Sequence, residues 1–243
     1  MGAEANAGST PEGLLQRVQR MDYPYTHQVP ADSTPADVVQ RVIDALAARR
    51  WDAVVPLVYH EDLERFAAEQ VAEMHTLETE PSVADKLRGR SSLAPEVVDR
   101  IAQTEMERRR DGRARFAQMY GGRSTSEELA QLAPESLFVL WLAGSDPPEQ
   151  VRRSVAHLEG VHPGFASAAQ RTIPRLSRAI VRTEYEDTNR ARVTYKEWVG
   201  DETKDAVFHV VNLRGTSHGW RVRVDAELMG HASLWVVVEP SDG

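Results

Sequence analysis

Four residues that could carry chemistry stand together early in the chain: His60, Glu61, Asp62 and Glu64. On a helix, two metal ligands must lie three or four positions apart so that both reach one ion. His60 and Glu64 meet that spacing, Asp62 lies off their face, and no second ligand pair stands nearby. A plainer reading fits better. His60 ends a loop and the acids occupy a first helical turn, where the helix dipole favours each by about 0.3–1 kcal/mol. This reading expects neither a metal nor another cofactor.

Alternation along the last third suggests a second cluster. In RARVTYKEW, Val193, Tyr195 and Glu197 share one face and oppose Arg192, Thr194, Lys196 and Trp198. In IVRTEYE, Tyr185 falls with Val181 and Thr183. Glu197, Tyr195 and Tyr185 are therefore expected on one face of the sheet, where a carboxylate beside phenols is suited to general-base work with tyrosine as proton donor. The competing reading places Glu197 at a strand end and packs the tyrosines. In GWRVRVD, Trp220, Val222 and Val224 are expected inside, and Arg221, Arg223 and Asp225 outside. His209 sits in VFHVV, apolar on both faces, and is expected to pack or to lie at an interface.

Other stretches point away from catalysis. EMERRRDGRARF carries five arginines, but Glu105, Glu107 and Asp111 dilute them and no aromatic platform accompanies them, so a solvated helix face is expected. MYGGRSTSEE lacks the glycine spacing and lysine of a phosphate loop. No Gly-x-Ser-x-Gly nucleophile elbow occurs.

The elements that must position these residues follow from periodicity and caps. Residues 1 to about 12 read as a disordered tail, and GLLQRVQRM as a short helix. Thr34, Pro35 and Asp37 form a helix start ahead of Val38, Val39, Val42, Ile43 and Leu46 at helical spacing. Asp52 is a plausible cap for a short helix that Pro56 limits. A helix entered at His60 presents Leu63, Phe66, Ala67, Val71 and Met74 on one face. Residues from about 82 to 176 are helical in composition, with Ser124 or Ser126 capping ahead of Glu127 and Glu128. Two hairpins and a fifth strand, SLWVVVE, close the chain as an antiparallel meander. Helices first and strands last predict an α+β fold.

Bulk properties narrow the classes. The 243 residues include 41% hydrophobic and 27% charged residues, enough for a packed core. A net charge of −8 disfavours nucleic acid, whose phosphates demand a basic surface. With no cysteine, disulfides and thiolate chemistry are excluded. No signal peptide and no apolar run of membrane-spanning length are visible, so the expected location is cytoplasmic, without membrane attachment.

STPADVVQRVIDALAARRWDAVVPLVYHEDLERF, residues 33–66, resembles the opening of the NTF2-like (cystatin-like, SnoaL-like) α+β superfamily. There a long helix, a short helix opened by Trp-Asp and a helix entered at His-x-Asp follow one another. DAVFHVVNLRGTSHGWRVRVDAEL is similar to that group's final hairpin with its Gly-Trp-Arg turn. The resemblance implies a single domain over residues 29–243, preceded by a tail and short helix over 1–28. It makes the helices of about 67–176 an insertion. It also implies a curved sheet wrapped round helices as a cone, whose mouth takes a small apolar ligand, with Trp51, Phe208 and Trp220 as aromatic lining. Members include isomerases, dehydratases and cyclases as well as binding and dimerisation domains. The expected function is non-catalytic binding of a small apolar ligand or a protein partner, as a homodimer formed through the outer sheet face with Trp198. An isomerase, dehydratase or cyclase using Glu197 with Tyr195 or Tyr185 is the alternative.

Overall fold

The computed structural model describes residues 10–21, 33–87, 93–169, 175–213, 219–225, 228 and 236–238. Of the tail expected over residues 1 to about 12, residues 1–9 lie outside them, while Thr10, Pro11 and Glu12 already belong to the first helix and its cap. Thr10 caps the first helix, α1 (Pro11–Gln19), by accepting from the Gly13 N–H. α2 (Pro35–Ala47) opens on a capping box: the Thr34 hydroxyl accepts from the Asp37 N–H, and the Asp37 carboxylate accepts from the Thr34 N–H at 2.8 Å. These two bonds satisfy donors that a helix start otherwise leaves orphaned. Val38, Val39, Val42 and Ile43 then face the core with no exposed surface.

α3 (Trp51–Val54) runs into a 3-10 turn at Val55–Leu57, where Pro56 stands in the turn. Asp52 is not a cap; its carboxylate accepts from Arg17 of α1 at 2.6 Å. Next come α4 (His60–Thr79), α5 (Val83–Leu87), α6 (Pro95–Met119), α7 (Ser126–Ala130), α8 (Pro134–Ser145), α9 (Pro147–Val161) and α10 (Phe165–Ala169). The cap of α7 is Thr125, paired reciprocally with Glu128, and not Ser124 or Ser126 as expected. Thr125 stands three residues before Glu128, the spacing that a capping box requires.

The strands are β1 (Arg175–Tyr185), β2 (Arg190–Val199), β3 (Glu202–Asn212), β4 (Trp220–Val222) and β5 (Val236–Val238). They form one curved sheet in the order β4-β3-β2-β1-β5. Val199 faces Glu202 across a two-residue turn in which Gly200 takes a φ of 65°, a conformation that glycine reaches without strain. The first four strands are antiparallel, but β5 lies parallel to β1 at Arg175–Ser177. The expected all-antiparallel meander is thus corrected at its last strand, which joins the far edge and does not continue beyond β4.

The fold is α+β, with helices packed on a sheet. α2 covers the inner face, and its apolar stripe meets Val193, Tyr195, Ala206, Phe208, Val210 and Val222 in one core. α8 reads LFVLWLAG through its centre and is apolar on every side, which demands burial all round. It gives Phe138, Val139 and Leu142 to the sheet core. Leu137 and Leu140 go to a second core with Met74, Phe116, Tyr120 and Leu129. The expected insertion therefore shares the core of the sheet through α8. Among the described residues, no helix is long and apolar enough to cross a membrane.

Candidate functional site

Glu197 and Tyr195 lie side by side on the inner face of β2, and both are buried. Tyr195 packs edge-on against Phe208, with ring centroids 5.6 Å apart, and its hydroxyl donates to Gln40 Oε1 at 3.5 Å. Burial, followed by the charges of Asp44 and Asp37, raises its phenol above the ordinary tyrosine value. Tyr185 is not brought to this pair. It stands opposite Ala191, at the other end of the inner face, 61% exposed, with its ring 5.9 Å from that of Trp220. Trp51, Phe208 and Trp220 are all buried members of the sheet core, packed against the side chains of α2 and α4.

A different place offers room. α4 begins where β4 ends, and the two are laced together. The Tyr59 N–H donates to the Val222 carbonyl at 2.9 Å, and Val58 bridges Val222. Asp62, in the first turn of α4, is 1% exposed. Its carboxylate accepts from Arg223 Nε at 2.6 Å and Arg223 Nη2 at 2.9 Å, and from the Val224 N–H at 2.8 Å. Arg65 Nη2 adds a contact at 3.0 Å and also donates to the Val224 carbonyl at 3.1 Å. Asp62 is therefore more than a dipole partner in a solvated turn: it is a buried anchor. The bidentate bond from Asp62 raises Arg223 above its ordinary value and keeps it a fixed cation. The Arg223 guanidinium lies 5.5 Å from the ring centre of Tyr59. Burial, then the hydrogen bond and charge of Glu61, push the Tyr59 phenol up to about 12.

This lacing corrects the expected orientation of GWRVRVD. Trp220, Val222 and Val224 are buried as expected, but Arg221 is only 1% exposed and Arg223 is half-buried. Arg223 lies beyond β4, where the chain past Val222 turns onto the start of α4 and meets Asp62.

Beside the anchor lies a cavity of about 440 Å³. Its apolar walls are Phe66 of α4, Trp141 of α8 and Val224. Phe66 meets Trp141 edge-on with centroids 5.7 Å apart, and Phe138 stacks behind Trp141 at 6.4 Å, so the wall is held by aromatic packing. Polar groups gather at the rim: Arg65, Glu69, Gln70 and Asp225. Buried Tyr120 donates its hydroxyl to Gln70 Oε1 at 2.8 Å. With that oxygen engaged, Gln70 has its amide N–H groups to offer a ligand. Burial, with a smaller contribution from Glu73, raises the Tyr120 phenol above its ordinary value and keeps it a donor.

A carboxylate has about four acceptor positions, and those of Asp62 are taken up by its donors, leaving little capacity to abstract a proton. Two further cavities lie elsewhere. One, of about 300 Å³, sits among Met106, Arg109, Arg110 and Arg113 on α6. There Arg109 pairs with Glu105 at 2.9 Å and Arg113 reaches the Leu77 carbonyl, in keeping with a charged helix face. The other is an open apolar groove of about 580 Å³ between α4 and α7. His60 and Glu64 gain no further ligand: among the described residues, no group of three or more His, Asp or Glu side chains could hold a metal ion.

Sequence reading missed the cavity and the anchor. A signal was present, because Asp62 precedes Phe66 by four positions and so shares the buried stripe of α4. Comparison with family models, curated proteins and solved structures gave no match to this chain.

Proposed function

We propose that this chain is a non-catalytic binding domain of the NTF2-like kind, and that its ligand is a small molecule held in the cavity between α4, α8 and the end of β4. The observation that carries this reading is the cavity itself: about 440 Å³, within the usual range for small-molecule sites, with an aromatic wall and a few polar groups at its rim. A ligand with a flat apolar body against Phe66 and Trp141 and one polar end toward Gln70, Arg65 or Asp225 fits this lining. The anchor under the cavity supports a preformed site, since Asp62, Arg223 and Arg65 are already tied to one another and to the backbone.

The enzyme reading keeps one observation in its favour, namely that Tyr195 and Glu197 are buried neighbours. Against it, Tyr185 stands apart, opposite Ala191, and Tyr195 is packed in the hydrophobic core. Binding is therefore the better supported function.

Thermal unfolding across a library of small aromatic and aliphatic compounds tests the proposal. A true ligand at one hundred times its Kd adds about 2.7 kcal/mol of stability, a shift of roughly 5–10 °C for a chain of this size. Phe66→Ala and Gln70→Ala should each reduce that shift, while Glu197→Gln should leave it unchanged. Ligand-induced shifts abolished by Glu197→Gln and untouched by Phe66→Ala would move the site back to the sheet interior.

A further inference from the structure

The sheet has one edge whose details fit a second copy of this chain. β5 pairs with β1 only at Arg175–Ser177, and among the described residues no strand follows it along the rest of β1. That uncovered run carries Ile180, Val181 and Tyr185, which are 40%, 44% and 61% exposed. Exposed apolar side chains on an unpaired edge are a template for another strand.

The backbone fixes which groups point outward. The Glu186 N–H donates to the Arg190 carbonyl and closes the β1–β2 hairpin. Alternation then turns the polar groups of Glu184 and Arg182 toward β2 as well, and aims those of Thr183 and Tyr185 off the edge. The pairing register also sorts the side chains. Thr183 and Tyr185 stand opposite Val193 and Ala191 on the inner face, and Arg182 and Glu184 stand opposite Thr194 and Arg192 on the outer one. A bulge at Ile180–Arg182 ends the regular run at Val181.

We propose that two copies of the chain pair their β1 strands antiparallel about a two-fold axis at Thr183, joining the two sheets into one. In this register Thr183 meets the second copy's Thr183, and the outward N–H and C=O groups of each bond to the other. Val181 lies opposite the second copy's Tyr185, apolar against apolar. Arg182 lies opposite the second copy's Glu184, so the outer face carries two complementary charge pairs across the axis. Neighbouring registers fail. Centring on Arg182 or Glu184 sets like charges together and brings inward-turned polar groups to the interface. Centring on Val181 sets Arg182 against Ile180, and centring on Tyr185 sets Glu184 against Glu186. This edge replaces the outer sheet face as the dimer surface. Within one copy Arg182 already contacts Glu184 at 3.5 Å and Asp205 at 3.3 Å, so the second copy's Glu184 extends an existing charge network.

The chain has no cysteine, so one introduced thiol reports the pairing without background. Directly opposed residues of this type have Cα atoms about 5.5 Å apart, inside the roughly 4.4–6.8 Å window for a disulfide. Under mild oxidation Thr183→Cys should give a cross-linked dimer, whereas Thr203→Cys, on exposed β3 away from the edge, should not. Sedimentation equilibrium should show a wild-type dimer that Arg182→Glu weakens about tenfold and that Arg182→Glu/Glu184→Arg largely restores. Circular dichroism checks that each variant is folded. A strict monomer at high micromolar concentration would overturn the proposal. So would a dimer whose Thr183→Cys cross-links no faster than Thr203→Cys, because it would use another surface or leave the edge to another occupant.

Discussion

Asp62 concentrates more structural consequence than any other acidic side chain described here. A buried carboxylate is tolerable only when its acceptor positions are filled by cations and N–H groups, and Arg223, Arg65 and Val224 fill them. Replacing it with alanine would strand Arg223 and the Val224 N–H at the foot of the cavity. Asp62→Ala is expected to destabilise the chain by about 3 kcal/mol, near the lower end for a broken buried pair because Arg223 is partly solvated. Glu64→Gln, on the exposed side of the same turn, should stay within about 0.5 kcal/mol. Urea denaturation of the two variants measures both. If the two substitutions cost the same, Asp62 is not an anchor. In the sequence only the four-residue spacing to Phe66 set Asp62 apart from its acidic neighbours, and its cation stands 161 positions away. Tyr195 and Glu197 were readable as inward-facing because alternation on one strand is a local property. That Tyr185 would stand four residues' length from Tyr195 was not, because the register between strands is not local.

Among the elements, the helix starts were the most legible. Thr34 was legible as the cap and Asp37 as an acid of the first turn, and the structure closes the two into a capping box within four residues. The start of α7 was one residue off because three hydroxyl residues, Ser124, Thr125 and Ser126, compete for the cap. Thr125 alone stands three residues before Glu128, and Ser126 is engaged by Glu78 of α4: its N–H donates to Glu78 Oε1 at 3.0 Å and its hydroxyl to Oε2. These bonds hold the Glu78 carboxyl below the usual glutamate value, the Ser126 hydroxyl contributing most, with burial opposing. A group whose value is lowered on folding stabilises the fold at pH above its unfolded value. That contribution disappears as pH falls through the lower folded value. Stability of the α4–α7 contact should therefore be full above about pH 4.5 and decline below it. Glu78→Gln should lower stability at neutral pH and flatten the acid limb of the stability curve. A parallel downward displacement of the whole curve would show that Glu78 keeps its ordinary value in the fold. The direction of β5 was not legible, because a short apolar strand pairs either way and its choice rests on contacts with β1.

For the whole molecule, the order of helices and strands made the α+β class legible, and the apolar helical segment LFVLWLAG announced burial without saying against what. Its answer, one helix shared between two cores, joins the long helical region to the sheet and also creates the cavity, since Trp141 of α8 is one wall of it. Val38, Val39, Val42 and Ile43 of α2, Trp51 of α3 and Phe66 of α4 are buried together with the sheet residues in one core, a packing that only the assembled chain reveals. The central claim is that ligand enters beside Trp141 and not among Trp51 and Trp220. The chain has five tryptophans, and fluorine NMR of protein labelled with 5-fluorotryptophan resolves them once each is assigned by a Trp→Phe variant. Titration with any compound that raises the unfolding temperature should shift the Trp141 resonance first and furthest. Movement of the Trp51 and Trp220 resonances with Trp141 unmoved would contradict the account.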